Sequence, residues 1–365
     1  MDEEKKEIIR EDTKNFSCPG CGGNMIFNPE EQCLSCSYCE NKIEIKAESN
    51  NMVEYDFDSA DELEAQDWGE EKRLFKCGNC GAESIFDKDK IAQFCPFCGS
   101  SHIAENSDNI GIKPTLIVPF KIKKNDSEEK FKVWIKKRFF APSDLKKSYK
   151  MDKVSGVYLP HWTYDSNTFS NYVVKIGTYY YVTETHWVTE NGERKEVSQQ
   201  VRKTRWRTEQ GTYAEFFDDV LCNASSNVES GLVKSIEPFK LKELVDYKAA
   251  YLSGFVAERY SISLKDGWNK AKTEIDNRIK SGIRNQVFGD EVRIENVATA
   301  FSNITFKHIL LPVWISAFDY KGKVYRFMVN GQTGELDGES PVSALKVTLF
   351  IIAIIAVIAL LVLVI

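Results

Sequence analysis

The chain has 365 residues, 42% of them hydrophobic, with 48 Lys and Arg against 54 Asp and Glu for a formal net charge of −6. That length and apolar content exclude a disordered chain and allow two or three domains. The charge is unevenly spread, with 20 acidic against 6 basic side chains in residues 1 to 71 and 13 basic against 5 acidic in residues 113 to 153; an acidic N-terminal surface argues against gripping a polyanion there.

Residues 1 to 15 read as a charged tail, and charge from the second residue of MDEEKKEIIRED onward excludes a secretory signal. The next segment, 16 to 45, carries Cys18-Pro-Gly-Cys21 and Cys36-Ser-Tyr-Cys39. Shifted by 59 residues these fall on Cys77-Gly-Asn-Cys80 and Cys95-Pro-Phe-Cys98, and Phe16, Gly22, Ile26 and Phe27 recur as Phe75, Gly81, Ile85 and Phe86. Such self-similarity is a duplication. Each copy reads as a zinc ribbon, in which two Cys-x-x-Cys turns joined by a short hairpin aim four thiolates at one ion. Four sulfurs leave no open position for water or substrate, so the expected cofactor is two structural Zn2+ per chain, held by Cys18, Cys21, Cys36 and Cys39 and by Cys77, Cys80, Cys95 and Cys98. The competing reading of these cysteines as disulfides needs an oxidising compartment that nothing in the sequence implies. Cys33 aligns with Ala92 and is read as a spare strand thiol; Cys222 is read as a packing residue.

Residues 46 to 71 form an acidic linker with a short helix near Ala60 to Ala65, and the second ribbon occupies 72 to 104. Residues 113 to 338 are expected to form an α+β domain with a largely antiparallel sheet. TLIVPFKI from Thr115 is β-rich, and Asp126 to Phe139 is a helix with Asp126 at its N-cap and Phe131, Trp134 and Ile135 at helical spacing. Two long alternating runs rich in Tyr, Thr, Val and Trp meet at Asn191-Gly192, a strong hairpin signal. Helices are expected over Leu241 to Tyr260, with a break at Gly254, and over Leu264 to Val287; strands then return from Asp290 and turn at Lys321-Gly322-Lys323. YLPHWTYD and LLPVWISAFDY each place Leu-Pro-x-Trp in a strand after a helix, which suggests two related halves.

After a juxtamembrane segment, 339 to 346, the nineteen residues from Val347 to Ile365 contain no charge, Gly or Pro. At about 1.5 Å per residue they match the hydrocarbon core and predict a transmembrane helix. The expected localisation is a single-pass cell-membrane protein with the bulk of the chain cytoplasmic, a compartment that keeps thiols reduced.

No phosphate loop, nucleophile elbow, His-Glu-x-x-His or dinucleotide fingerprint occurs, and His102, His161, His186 and His308 are scattered. Asp218 and Asp219 are a candidate carboxylate pair, but adjacent strand residues point to opposite faces, so the two are read as starting a turn. An enzyme is not expected, and no catalytic residue is assigned. Binding of nucleic acid is the alternative, because Arg202 to Thr208 interleaves basic side chains with Trp206 as a stacking surface does.

The order of two ribbons, DWGEEKRLFKCGNCGAE, IVPFKI, GVYLPHWTYD, LSGFVAERY and MVNGQTGELDGESPVSALK resembles a YdjG-like family of bacterial membrane proteins with two ribbons of the transcription-factor-IIB type. The resemblance implies a place in a membrane-stress module beside phage-shock-protein-A-like (PspA-like) and flotillin-like (SPFH) partners, and it carries over only the eight cysteines. The expected function is a membrane-anchored cytoplasmic zinc-ribbon adaptor that docks protein partners and contacts the lipid bilayer through 347–365.

Overall fold

The structure, a computed structural model, describes residues 16–46, 54–62, 72–87, 94–106, 111–143, 154–190, 193–321 and 323–364. The charged tail, most of the acidic linker and the Asn191-Gly192 turn lie outside them. The first ribbon is a three-stranded antiparallel sheet of β1 (Met25–Asn28), β2 (Cys33–Cys36) and β3 (Lys42–Glu44). Asn28 turns the chain between the first two strands, its side-chain oxygen accepting from the N–H groups of Glu30 and Glu31, a local bond of the kind that favours Asn in turns. Then come β4 (Tyr55–Asp56) and a 3-10 turn over Phe57–Glu62, where the linker helix was expected a few residues later. The second ribbon supplies β5 (Lys72–Cys77), β6 (Glu83–Asp87) and β7 (Ile103–Asn106).

Beyond the ribbons run β8 (Leu116–Ile117), α1 (Lys124–Lys137), β9 (Ser155–Glu190), β10 (Glu193–Asn223), α2 (Ser230–Ser235), β11 (Val245–Asp246), β12 (Val256–Glu258), α3 (Leu264–Gln286), β13 (Glu291–Tyr320), β14 (Lys323–Asn330), β15 (Leu336–Gly338) and α4 (Ala344–Val364). Among the described residues twelve strands form one sheet, whose main path is β11-β8-β13-β9-β12-β6-β5-β7. This sheet is mixed, which corrects the expectation of a largely antiparallel one: β12 runs parallel to β9, with Val256 opposite Val157, and β8 runs parallel to β13, with Leu116 opposite Ile309. Parallel neighbours need long crossover connections, and strand alternation alone does not reveal which distant segment lies alongside.

Helix α1 begins two residues before the expected Asp126 cap, with Lys123 at its N-cap and Asp126 in its first turn. The helix expected over Leu241 to Tyr260 is replaced by two 3-10 turns, Leu241–Glu243 and Ala249–Leu252, flanking β11 and followed by β12. Gly254 has φ of +92°, outside helical space. Ala257 then pairs with Ile85 on one side and Tyr158 on the other. Pairing on both edges overrides helix propensity.

The chain divides into two compact units, residues 1–162, 223–264 and 307–365, and residues 163–222 and 265–306. In the first, one core collects Met25, Phe27 and Leu34 from the first ribbon, Leu74 and Ile85 from the second, and Phe120, Tyr158, Phe255, Trp314 and Phe327. Phe120 stacks on Phe255 at 4.3 Å between ring centres, and Phe27 meets Tyr251 edge-on at 5.3 Å. Ribbon backbone joins in as well: the N–H of Phe27 donates to the Ser253 carbonyl at 3.0 Å, and the Ser253 hydroxyl donates to that of Met25 at 2.7 Å. In the second unit Trp268 packs against Tyr164 and Phe301, each with ring centres 5.4 Å apart, and Ile275 and Ile279 of the same helix are buried as their spacing predicts.

Helix α4 forms over the apolar C-terminal run with its side chains exposed, Leu349, Ile352, Ile355 and Val362 among them. Among the described residues, however, no helix is long and apolar enough to cross a membrane. The transmembrane element of the expected fold, and the single-pass membrane localisation drawn from it, are corrected by this finding.

Candidate metal centres

Four short turns carry the cysteine pairs. The N–H of Gly22 returns to the Cys18 carbonyl at 2.8 Å, Glu40 to Cys36 at 3.1 Å, Gly81 to Cys77 at 2.9 Å and Gly99 to Cys95 at 2.8 Å. Each turn ends on a left-handed residue, at φ of +73° for Gly22, +58° for Glu40, +78° for Gly81 and +72° for Gly99, where glycine is free of strain. These turns fold the two sulfurs of each pair toward one point.

The result is two groups, Cys18, Cys21, Cys36 and Cys39, and Cys77, Cys80, Cys95 and Cys98, in each of which all four sulfurs lie within 4.8 Å of one another. Across the pairs, the sulfurs stand 3.3 Å apart for Cys18 and Cys39, 3.5 Å for Cys21 and Cys36, 3.6 Å for Cys77 and Cys98 and 3.7 Å for Cys80 and Cys95. A tetrahedron of sulfurs about 2.3 Å from one ion has edges of about 3.8 Å, so both groups fit a four-coordinate metal. None of the ten cysteines is in a disulfide. Side-chain amides add weak contacts, Asn41 to Cys18 at 3.8 Å and Asn79 to Cys98 at 3.6 Å, the kind of outer contact that orients a ligand. Burial pushes the Cys80 thiol up to about 11 and the Cys95 thiol further up. At Cys18 and Cys98 desolvation is outweighed by hydrogen bonds that hold them down to about 6 and about 7, so each apo centre mixes thiol and thiolate, and a divalent cation that displaces the remaining protons makes four close thiolates stable.

Cys33 stands outside both groups. It is buried in β2, its thiol donates to Glu31 Oε2 at 3.7 Å, and burial together with the Glu31 charge pushes its pKa up. Cys222 is likewise buried and raised by burial.

The chain is similar to the uncharacterized protein YdjG of Bacillus subtilis (strain 168), with 27% identity over 336 residues that cover 91% of this chain and 92% of the relative. No protein-family model and no solved structure matches it.

Outside the metal centres the structure gathers polar groups that sequence spacing did not single out. Glu258 is fully buried, accepts from the Ser225 hydroxyl and the Asn227 amide at 2.7 Å each, and burial pushes its pKa up to about 7. His161 and His308 are buried, donate from Nδ1 to the carbonyls of Leu159 and Ile112 in the tautomer those contacts favour, and are both held down to about 4 by burial. His186 and His102 are exposed. Asp218 and Asp219 do not point apart as adjacent strand residues should. Asp219 sits at φ of +49°, which breaks the alternation, and both join Asp165 in one acidic group, where Asp165 accepts from the Asp219 N–H at 2.6 Å and the Thr305 hydroxyl at 3.2 Å. The basic run after Val201 is largely engaged: Arg202 lies over the Tyr179 ring at 4.3 Å, Arg205 over Tyr180 at 5.3 Å, Lys203 pairs with Glu184 at 2.7 Å and Arg207 with Glu209 at 2.8 Å.

Proposed function

We propose that this protein is a non-enzymatic double zinc-ribbon adaptor, in which each four-cysteine group holds one structural Zn2+ and the braced ribbons present a surface to protein partners. The observation that carries the reading is the closure of both centres: four sulfurs fill a tetrahedral shell and leave no position at which a metal-bound water or substrate could react. Zinc is the metal that four thiolates in this geometry favour. Cys21 and Cys39 of the first centre are exposed, so that end of the ribbon is open to a partner. PspA-like and SPFH-domain proteins, the partner class implied by the family resemblance, are the first to test. The engaged state of Arg202, Lys203, Arg205 and Arg207 weighs against nucleic acid as the ligand.

Elemental analysis of purified protein should give two zinc ions per chain. Cys33→Ser should keep both, whereas Cys36→Ser should lose one. One zinc per chain, or the opposite response of the two variants, overturns the ligand assignment. Crosslinking and pull-down with the PspA-like and SPFH candidates tests the adaptor role, and sub-micromolar oligonucleotide binding at physiological salt that is lost on changing Arg202 and Arg205 would replace it with the nucleic-acid reading.

A further inference from the structure

Within the second unit, β13 lies beside β9 and stops short of its end. Ser170 meets Thr299 at 2.9 Å and Lys175 pairs with Glu295, and the line closes where the Asp290 N–H donates to the Gly177 carbonyl at 3.0 Å and the Asp290 side chain accepts from the Tyr179 N–H at 2.7 Å. Beyond Tyr179 the strand continues to Glu190 with β10 on one side, and among the described residues no strand pairs with the other. Because Gly177 and Tyr179 turn their backbone groups to that side, alternation directs those of Tyr181, Thr183, Thr185, Trp187 and Thr189 there as well. Tyr181 and Trp187 are exposed at 64% and 67%. A two-stranded ribbon is marginally stable in water, and an open edge is a template for another strand.

The two edges of this ribbon differ. The β10 edge carries Arg194, Lys195, Arg202 and Lys203, charges that discourage pairing. From Tyr180 to Thr189 the β9 edge has no Lys, Arg or Pro, and no residue there has positive φ. Its sequence, YYVTETHWVTE, is close to self-complementary about Thr185. Aligned antiparallel with a copy of itself, Val182 faces Val188, Thr183 faces Trp187, Glu184 faces His186, and Tyr181 faces Thr189. β-Branched, aromatic and opposite-charge partners of this kind are the favourable cross-strand pairs. The register also suits the backbone: Thr185 meets its own copy as a hydrogen-bonded pair, while Val182 with Val188 and Glu184 with His186 fall at the non-bonded positions, where side chains approach more closely. The same operation on β10 about Ser198 would set Arg194 against Arg202.

We infer that the free β9 edge, Tyr181 to Thr189, docks a second copy of this chain by antiparallel strand pairing about a two-fold axis at Thr185, joining two ribbons into one four-stranded sheet. The occupant is a second copy because the edge complements its own sequence and charge. An isologous contact of this kind closes on itself, which is how an otherwise open edge avoids further growth. Glu184 keeps its in-chain partner Lys203 and gains His186 of the second copy.

The test is the mass of the full chain by sedimentation equilibrium in a non-ionic detergent that covers exposed α4, across a range of protein concentration. The expected result is a dimer. Thr185→Pro removes an N–H that points away from β10 and should raise the dimer dissociation constant at least tenfold, with the zinc content of the protein reporting that the rest of the chain is folded. His186→Lys should tighten the dimer by strengthening the pair with Glu184, and His186→Glu should weaken it. A monomer, an open series of larger species, or a dimer indifferent to Thr185→Pro overturns the proposal. Equal responses of the two His186 variants overturn the register.

Discussion

Glu258 shows how one buried side chain writes a pH dependence into the fold. Its carboxyl is raised from an ordinary value near 4.5 to about 7 because burial penalises the charge. Between those values the folded state binds the proton that the unfolded state has released, so the Glu258 contribution to stability is fully present below about pH 4.5 and is lost as pH rises through about 7. The loss amounts to about 3 kcal/mol at pH 8. Glu258→Gln keeps an acceptor for Ser225 and Asn227 without the charge. Denaturant unfolding should find the variant more stable than the parent at pH 8 by up to that amount and nearly equal near pH 4.5; the same difference at both values would show that burial does not set this group. His161 and His308 act with the opposite sign, since a pKa held down to about 4 makes their contribution present above about 6.5 and lost as pH falls through 4.

At the scale of elements, two short parallel strands are each followed by the same device. The Trp162 indole donates to the Ile262 carbonyl at 3.0 Å, and the Trp314 indole donates to the Ile122 carbonyl at 2.8 Å. Ile262 stands two residues before α3 and Ile122 two before α1. The Leu-Pro-x-Trp echo of the sequence thus coincides with a repeated contact: each tryptophan holds the carbonyl at the entry to a helix, and Pro160 and Pro312 each present a carbonyl to a neighbouring N–H, that of Ala224 or Gly331. Changing either tryptophan to phenylalanine leaves a carbonyl without its donor, buried at Ile262 and part-buried at Ile122, at a cost of about 1–3 kcal/mol. Trp162→Phe and Trp314→Phe should therefore destabilise by similar amounts in chemical denaturation. A measurable loss in only one would mean the two contacts are not equivalent.

For the molecule as a whole, the ribbons are part of the first unit's core rather than appendages to it. Met25 and Phe27 are buried among Tyr251 and Phe255, and the second ribbon's β6 pairs with β12. Metal binding in such a place is coupled to the stability of everything packed on it. Phe27→Ala should cost about 3–5 kcal/mol, and it should lower the stability of the first unit, not merely loosen one ribbon. Removing metal with a chelator should shift the same unfolding transition, read by the fluorescence of Trp162 and Trp314. A transition unmoved by chelation would show that the centres are held independently of the core.

The cysteine positions were legible in the sequence because metal geometry imposes a local spacing. Two sulfurs must be turned toward one ion within four residues, and the duplication then displays Cys33 as unmatched against Ala92. Helix α3 was legible too, since Trp268, Ile275 and Ile279 repeat on one side of a helix whatever lies beyond it. Other features depend on partners far away in the chain. Val256 to Glu258 became a strand because β6 and β9 occupy its two edges, Asp165 joined Asp218 and Asp219 through a left-handed residue that no periodicity announces, and Glu258 acquired its environment from Ser225 and Asn227. The apolar C-terminal run forms the helix its composition predicts, while no helix among the described residues is long and apolar enough to cross a membrane. Sequence by itself determined what nearest neighbours and repeated spacing control; strand partners, burial of charge and the merging of ribbon and domain cores were decided only in the tertiary structure, because each depends on contacts whose free energy belongs to two distant segments at once.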